Sequence, residues 1–227
     1  MLDYDEDHII ALGKDGFVKF RKDDFVAVAI FSNPGSSYAD NVIVTKNSDI
    51  WYISESKDDC HIITLDRSLR EINRYSLGKD VHVTGICEDV SQVVWLATDK
   101  GLICFDSRSG SRIPTPGALK ELGKNGKIHF AIPFWSNSIL FGVQGEGLLS
   151  YNIITGNIDR IVKEQTLEGD KYVCFVDKGN NIWLSDGKSE PKTYMGSNEN
   201  IKKQHISARR NFMRRLLSCR NMWQTLT

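Results

Sequence analysis

From Val83 to Asp106 the chain reads VTGICEDVSQVVWLATDKGLICFD: an apolar block, a polar turn, a second apolar block, the turn Asp99-Lys100-Gly101 and a third block, LICF. Short apolar or alternating blocks bounded by Gly, Asp and Asn are the pattern of β-strands, because side chains on a strand point to opposite faces with period two. The pattern predicts a three-strand meander. A fourth strand after Ser107-Arg108-Ser109-Gly110 completes a four-stranded antiparallel unit.

The unit recurs. Anchored on the second strand, Trp51 (DIWYIS), Trp95 (VVWLAT), Leu140 (SILFGV) and Trp183 (NIWLSD) are 44, 45 and 43 residues apart, and an earlier copy, HIIALGKDGFVKF, leads the chain. A period near 44 fits a propeller blade, since such blades run roughly 40 to 50 residues with four strands each. Helical repeats of similar period need apolar residues at helical spacing, which these blocks lack. The second copy occupies 38 to 80, with a long turn from Glu55 to Cys60, and the fourth runs from Lys127 to about Val162. Between the third and fourth copies, TPGALKELGKNG reads as a connection with a helical turn at Leu119 to Leu122. Its glycines are spaced wrongly for a phosphate loop, and Asn125 stands where Ser or Thr would bind Mg²⁺.

The expectation is an all-β chain, a β-propeller built from four-stranded antiparallel blades of about 44 residues and forming part of a larger or incompletely closed ring. Residues 1–200 hold about five copies, the first and last incomplete: no innermost strand is visible before His8, and the fifth copy, KYVCFVDKGNNIWLSD, loses its pattern after Lys188. These features mark the chain as a fragment. Residues 201–227 form a basic tail that reads as disordered or, with Ile206, Met213, Leu216 and Leu217 among paired arginines, as an amphipathic helix.

Charge adds one asymmetry. Lys plus Arg and Asp plus Glu are 29 each, which favours neither nucleic acid nor an acidic membrane as partner. No acidic residue follows Glu199, so residues 1–200 hold 22 basic residues against 29 acidic ones. The acidic start MLDYDEDHII lacks the basic and apolar regions of a secretory signal, and no run of 18 apolar residues appears. Taken as given the chain reads as cytoplasmic.

Chemistry is sparse. The five cysteines (60, 87, 104, 174, 219) form no CxxC pair, and Cys87, Cys104 and Cys174 fall within strands, where a free thiol acts as a small buried hydrophobe. The histidines (8, 61, 82, 129, 205) form no metal-ligand spacing, and neither GxSxG nor HExxH occurs. No catalytic residue, metal ligand or cofactor is assigned, and the chain is expected not to be an enzyme; a propeller lyase, with a His base assembled from separate blades, is the catalytic alternative. Candidate ligand-binding positions come from register. Eleven residues before each anchor stand Asp40, Thr84, His129 and Tyr172, polar or amphipathic where each innermost strand enters the channel. There they either meet a ligand hydroxyl or are simply wet strand ends. Trp51, Trp95 and Trp183 occupy equivalent strand positions and belong to the core between blades. Trp135, in the turn Pro133-Phe134-Trp135-Ser136, is a platform for a sugar face or a partner, or folds back onto its own blade.

EDVSQVVWLATDKGLICFD closely resembles the two-component regulator propeller repeat: an acidic turn, a Trp strand ending in Thr, then a Gly-started strand ending in aromatic-Asp. DKGNNIWLSD at 177–186 repeats its first half and QGEGLLSYN at 144–152 its second, so the resemblance covers about four blades. In that family such blades form the periplasmic sensor region of membrane-bound hybrid histidine kinases that detect products of carbohydrate breakdown. The resemblance therefore implies a non-catalytic sensing segment, periplasmic within its parent protein. It implies as partners an oligosaccharide ligand and the remaining blades or domains of that parent; the charge balance and the lack of a long apolar run lead us to expect no nucleic acid partner and no membrane span in this chain. The alternative from another class is a cytosolic protein-interaction scaffold of the same architecture.

Overall fold

The computed structural model describes residues 2–13, 16–32, 41–56, 58–122, 127–135, 137–162, 172–177, 179–185, 192–197 and 200–204, with only the backbone for the last two segments. Five four-stranded antiparallel sheets follow one another along the chain, each with its strands in sequence order. The first blade holds β1 (Leu2–Asp3), β2 (His8–Gly13), β3 (Gly16–Arg21) and β4 (Ala27–Ser32). The second holds β5 (Val42–Val44), β6 (Ile50–Glu55), β7 (Cys60–Leu65) and β8 (Glu71–Gly78). The third holds β9 (Val83–Glu88), β10 (Val93–Thr98), β11 (Gly101–Asp106) and β12 (Arg112–Ile113). The fourth holds β13 (Ile128–Phe134), β14 (Ser138–Val143), β15 (Gly147–Asn152) and β16 (Ile158–Val162). The fifth holds β17 (Val173–Val176), β18 (Ile182–Ser185), β19 (Lys192–Ser197) and β20 (Asn200–Gln204). The chain is a β-propeller of four-stranded blades, and every anchor residue lies on the second strand of its blade.

Two expectations at the ends differ from what forms. The first copy has its innermost strand: Leu2 and Asp3 pair with Ile10 and Ile9. Two residues set among acids make no visible apolar block. The fifth copy completes four strands, with Tyr194 opposite Ile182 and Lys203 opposite Tyr194. Backbone ladders do not require the repeat's side-chain pattern, so a strand crosses the expected boundary at residue 200. Residues 205–227 lie outside the described residues. The connection before the fourth blade contains one 3₁₀ turn, Gly117–Leu119, and its Leu119 and Leu122 are buried.

Strand alternation explains how the blades stack. Trp51, Ile53, Cys60 and Ile62 point forward from the second blade into a core shared with Val94, Leu96, Ile103 and Phe105 of the third. Trp95, Ala97, Leu102 and Cys104 of the third blade meet Ile139, Phe141, Leu149 and Tyr151 of the fourth in the same way. Ile10 and Phe17 of the first blade face Ile50, Tyr52, Ile63 and Leu65 of the second, and Leu140 and Leu148 face Ile182 and Leu184. The second, third and fourth blades are thus apolar on both faces, and odd and even positions serve different neighbours. Full burial of such a side chain contributes about 1.5–3 kcal/mol.

The turns account for the residues that mark the repeat. Asp89 Oδ1 accepts the Ser91 and Val93 amides at 2.7 and 3.0 Å, while Oδ2 accepts the indole N–H of Trp95 at 2.9 Å. Asp177 repeats this with Gly179, Asn181 and Trp183, the last at 3.0 Å. One carboxylate closes the turn and satisfies the buried Trp. The Thr98 hydroxyl donates to the Gly101 carbonyl at 2.7 Å, and Gly101 takes a φ of 112°, which a side chain would strain. Asp66, Asp106 and Asn152 close the turns between third and fourth strands by accepting amides two to four residues ahead. In the second blade Thr45 stands where Asp89 and Asp177 stand, and the Trp51 indole N–H is buried without a partner.

Asp89→Ala should therefore cost about 2 kcal/mol, since it orphans a buried indole and two turn amides; Thr45→Asp should raise stability by about 1 kcal/mol. Urea denaturation measures both, and equal midpoints for the wild type and Thr45→Asp would show that the indole gains nothing. The Arg108 guanidinium, with the Ser109 and Arg108 amides, holds the Asp106 carboxyl down at about 2. A carboxylate lowered on folding adds stability above its unfolded value of about 3.9, and loses it as pH falls toward the folded value. The urea midpoints of wild type and Asp106→Asn should differ at pH 5 and converge as pH approaches about 2.

Candidate functional site

The first strands of successive blades, β5, β9, β13 and β17, lie side by side and form the inner wall of the arc. Their approach is close: a side chain added at Gly85 would come within 3.3 Å of the Phe130 Cα and the Ala131 N of the next blade. Only Gly fits there without displacing backbone.

Thr84 is the second residue of β9, His129 the second of β13, and Tyr172 immediately precedes β17, so these three share one end of the wall. Asp40 lies outside the described residues. The Thr84 hydroxyl donates to the Ile128 carbonyl at the start of the next inner strand. Asn41 does the same one blade earlier, its side-chain amide donating to the Val83 carbonyl at 3.0 Å. His129 is buried, and its ring meets that of Tyr172 edge to face with centroids 4.9 Å apart. Side chains at this end therefore tie each blade to the next. The same imidazole and phenol are hydrogen-bonding groups beside an aromatic edge, a set suited to a polar ligand.

Trp135 sits at the other end of β13, about 20 Å away at some 3.3 Å per strand residue. Its backbone φ is 51°, its ring stacks on buried Phe134 at 4.9 Å, and it remains 39% exposed. It both folds onto its own blade and offers an open ring face, but it does not join His129 and Tyr172 in one site.

Two further features lie on the His129 end, beside the long Glu55–Cys60 turn and the connection that the sequence marks. Glu55, which opens the long turn of the second blade, accepts the Val83 amide at 3.2 Å and pairs with His82 Nδ1 at 3.1 Å, while the His82 amide donates to Asp99 at 2.9 Å. The turn's unusual length was the available signal. A hollow of about 300 Å³ lies between the Gly117–Leu122 connection and the fourth blade, with Glu121, Glu146 and Arg160 around Leu122 and Leu149. Its parts come from three separated segments, so no local pattern reveals it.

The cysteines among the described residues behave as core. Cys87 and Cys104 are buried and free, and burial pushes the Cys104 thiol up to about 12, far from reactive thiolate. Cys174 is half-buried. Among the described residues no group of three His, Cys, Asp or Glu side chains is placed to hold a metal ion, and no helix is long and apolar enough to cross a membrane.

No protein-family model and no curated protein matches the sequence. Solved structures share the fold. The extracellular domain of a putative hybrid two-component system of B. thetaiotaomicron superposes with a TM-score of 0.63 at 13% identity, over 91% of this chain and 30% of that one. A second such domain from the same organism gives 0.61 at 16% identity, over 89% of this chain and 27% of that one. A catalytically inactive virginiamycin B lyase from Staphylococcus aureus gives 0.59 at 13% identity, over 91% of this chain and 72% of that one. At these identities the likeness is one of fold. The chain spans less than a third of the two sensor domains it resembles.

The Thr84 hydroxyl has a structural task in this arrangement. Thr84→Val, which keeps the shape and deletes the donor, should lower stability by about 1 kcal/mol by leaving the Ile128 carbonyl unpaired. An unchanged urea midpoint would show that the bond does not tie β9 to β13.

Proposed function

We propose that this chain is a non-catalytic, ligand-sensing propeller segment of a two-component regulatory system, periplasmic within its parent protein and responsive to a carbohydrate. The observation that carries the reading is the combination of the repeat and the fold. The signature EDVSQVVWLATDKGLICFD resembles the regulator propeller repeat, and the blades superpose on extracellular domains of two-component systems. The pair His129–Tyr172, two hydrogen-bonding rings at one end of the inner wall, supports a hydroxyl-rich ligand. In this reading the oligosaccharide engages that pair, and the remaining blades and domains of the parent sensor carry the signal onward. The lyase shares the fold alone, and a shared fold does not transfer catalysis.

The test is thermal unfolding across a panel of oligosaccharides. Ligand present at about 100 times its Kd stabilises by about 2.7 kcal/mol, which for a chain of this size raises Tm by roughly 5–10 °C. At least one sugar should produce such a rise, and His129→Ala and Tyr172→Ala should each reduce it while Trp135→Ala leaves it intact. If no sugar shifts Tm, the sensor reading fails and the protein-interaction scaffold takes its place. If Trp135→Ala alone removes the shift, the ligand binds at the opposite end of the blades.

A further inference from the structure

The first blade presents a second apolar face that none of the core clusters covers among the described residues. On β2 and β3, Ile9 pairs with Phe20 and Ala11 with Val18. These four occupy the positions of Ile50, Leu65, Tyr52 and Ile63 in the second blade, which pair in the same way. In the second blade all four are buried against the first blade, whereas Ile9, Ala11, Val18 and Phe20 are only half-buried. The turn to the fourth strand repeats the contrast. Leu69, with φ 61°, folds back onto the first blade and is 4% exposed; Phe25, with φ 55° in the corresponding turn, is 52% exposed.

The outer strand extends this surface. Ile30 on β4 lies opposite Val18, where the second and fourth blades place Arg74 opposite Ile63 and Arg160 opposite Leu149. It is 69% exposed. Charged residues occupy that outer position where a blade already has its neighbour, and an isoleucine occupies it here. Among the described residues the core clusters join first to second, second to third, third to fourth and fourth to fifth blades, and none joins fifth to first.

We infer that this face, formed by Ile9, Ala11, Val18, Phe20, Phe25 and Ile30, is the docking surface for one further four-stranded blade, which lays against it a forward row like that of Trp51, Ile53 and Ile62. The inference rests on the reading that these five blades belong to a longer propeller. The interface needed is one the chain already builds four times, in the same register and with the same alternation. The lyase comparison is consistent with that geometry, since 91% of this arc accounts for only 72% of that chain.

The experiment uses cysteine labelling read site by site in intact protein. Phe25→Cys and Ile30→Cys are made in this chain and in the same chain extended by a copy of residues 41–86 ahead of Leu2. That copy supplies the second blade, its Lys79–His82 connection and the four inner-strand residues that precede the equivalent of Leu2, since Cys87 pairs with Trp95 as Leu2 pairs with Ile10. Ile154→Cys, at a position 71% exposed on the fourth blade, reports a surface no added blade should cover. Labelling at 25 and 30 is expected to be as fast as at 154 in the five-blade chain and at least tenfold slower in the extended one. Equal labelling in both would overturn the proposal, and so would protection in the five-blade chain. Protection that grows with protein concentration would assign the face to a second copy; concentration-independent protection would assign it to closure on the fifth blade. A second measurement does not depend on the extended chain folding. In the five-blade chain, Phe25→Lys with Ile30→Lys should leave the urea midpoint unchanged, while Leu69→Lys, at the covered position, lowers it sharply. Equal losses would mean the face is already covered. None of these measurements uses a sugar, so the interface can stand where carbohydrate sensing fails, and the reverse.

Discussion

A sheet that is apolar on both faces cannot end in water without cost, and that constraint governs this protein. Because neighbouring residues on a strand face opposite ways, Trp51 and Ile50 serve different blades, as do Trp95 and Val94. Each of the three middle blades is thus half of two cores and the whole of none. Stability accrues per interface rather than per blade, the behaviour of a repeat array whose members contact only their neighbours. The close approach at Gly85 and the latches from Asn41 and Thr84 to the next inner strand work within that frame. They set the spacing at the axis, while apolar area on the flanks supplies the attraction.

The turns convert this packing requirement into a recognisable sequence. A Trp is the largest side chain available to fill a forward row, and it brings an indole N–H that costs stability when buried unpaired. An aspartate six residues earlier meets that need and closes the preceding turn, so Asp89 with Trp95 and Asp177 with Trp183 travel as units. The fourth blade has Leu140 and Phe134 at these positions and requires no carboxylate. The second blade keeps Trp51 but places Thr45 at the turn, leaving the indole unpaired.

The architecture was legible because it is written in short-range, repeated chemistry. Period-two alternation, the Gly101 turn and the anchors near 44 residues apart each report a local constraint imposed in the same way several times. The ends were less legible for a physical reason. Leu2–Asp3 pairs through backbone alone, and the last two strands of the fifth blade hold their ladder without the aromatic-Asp ending that marks β11. The register argument placed Thr84, His129 and Tyr172 at one end of the inner wall, because distance to an anchor on a paired strand is conserved by the ladder. It did not reveal that Thr84 is committed to the Ile128 carbonyl, since that partner lies 44 residues away on another blade. Nor did it separate Trp135 from the other candidates, which follows only once β13 is seen to run its full length between them.

The same local grammar explains why binding chemistry is hard to read here. In a propeller the residues that meet a ligand come one from each blade, so neighbours in space are about 44 residues apart in sequence and share no motif. What the chain conserves from blade to blade is what holds it together: Asp for Trp, Gly for the turn, Asp or Asn for the last connection. Positions free of those duties differ from blade to blade, as His129 and Tyr172 do at equivalent sites. Variation against a repeating frame therefore points toward function, and it does so in the first blade as well. There, isoleucine replaces the outward arginine of its counterparts, and a face that should be the polar flank of a finished arc remains apolar.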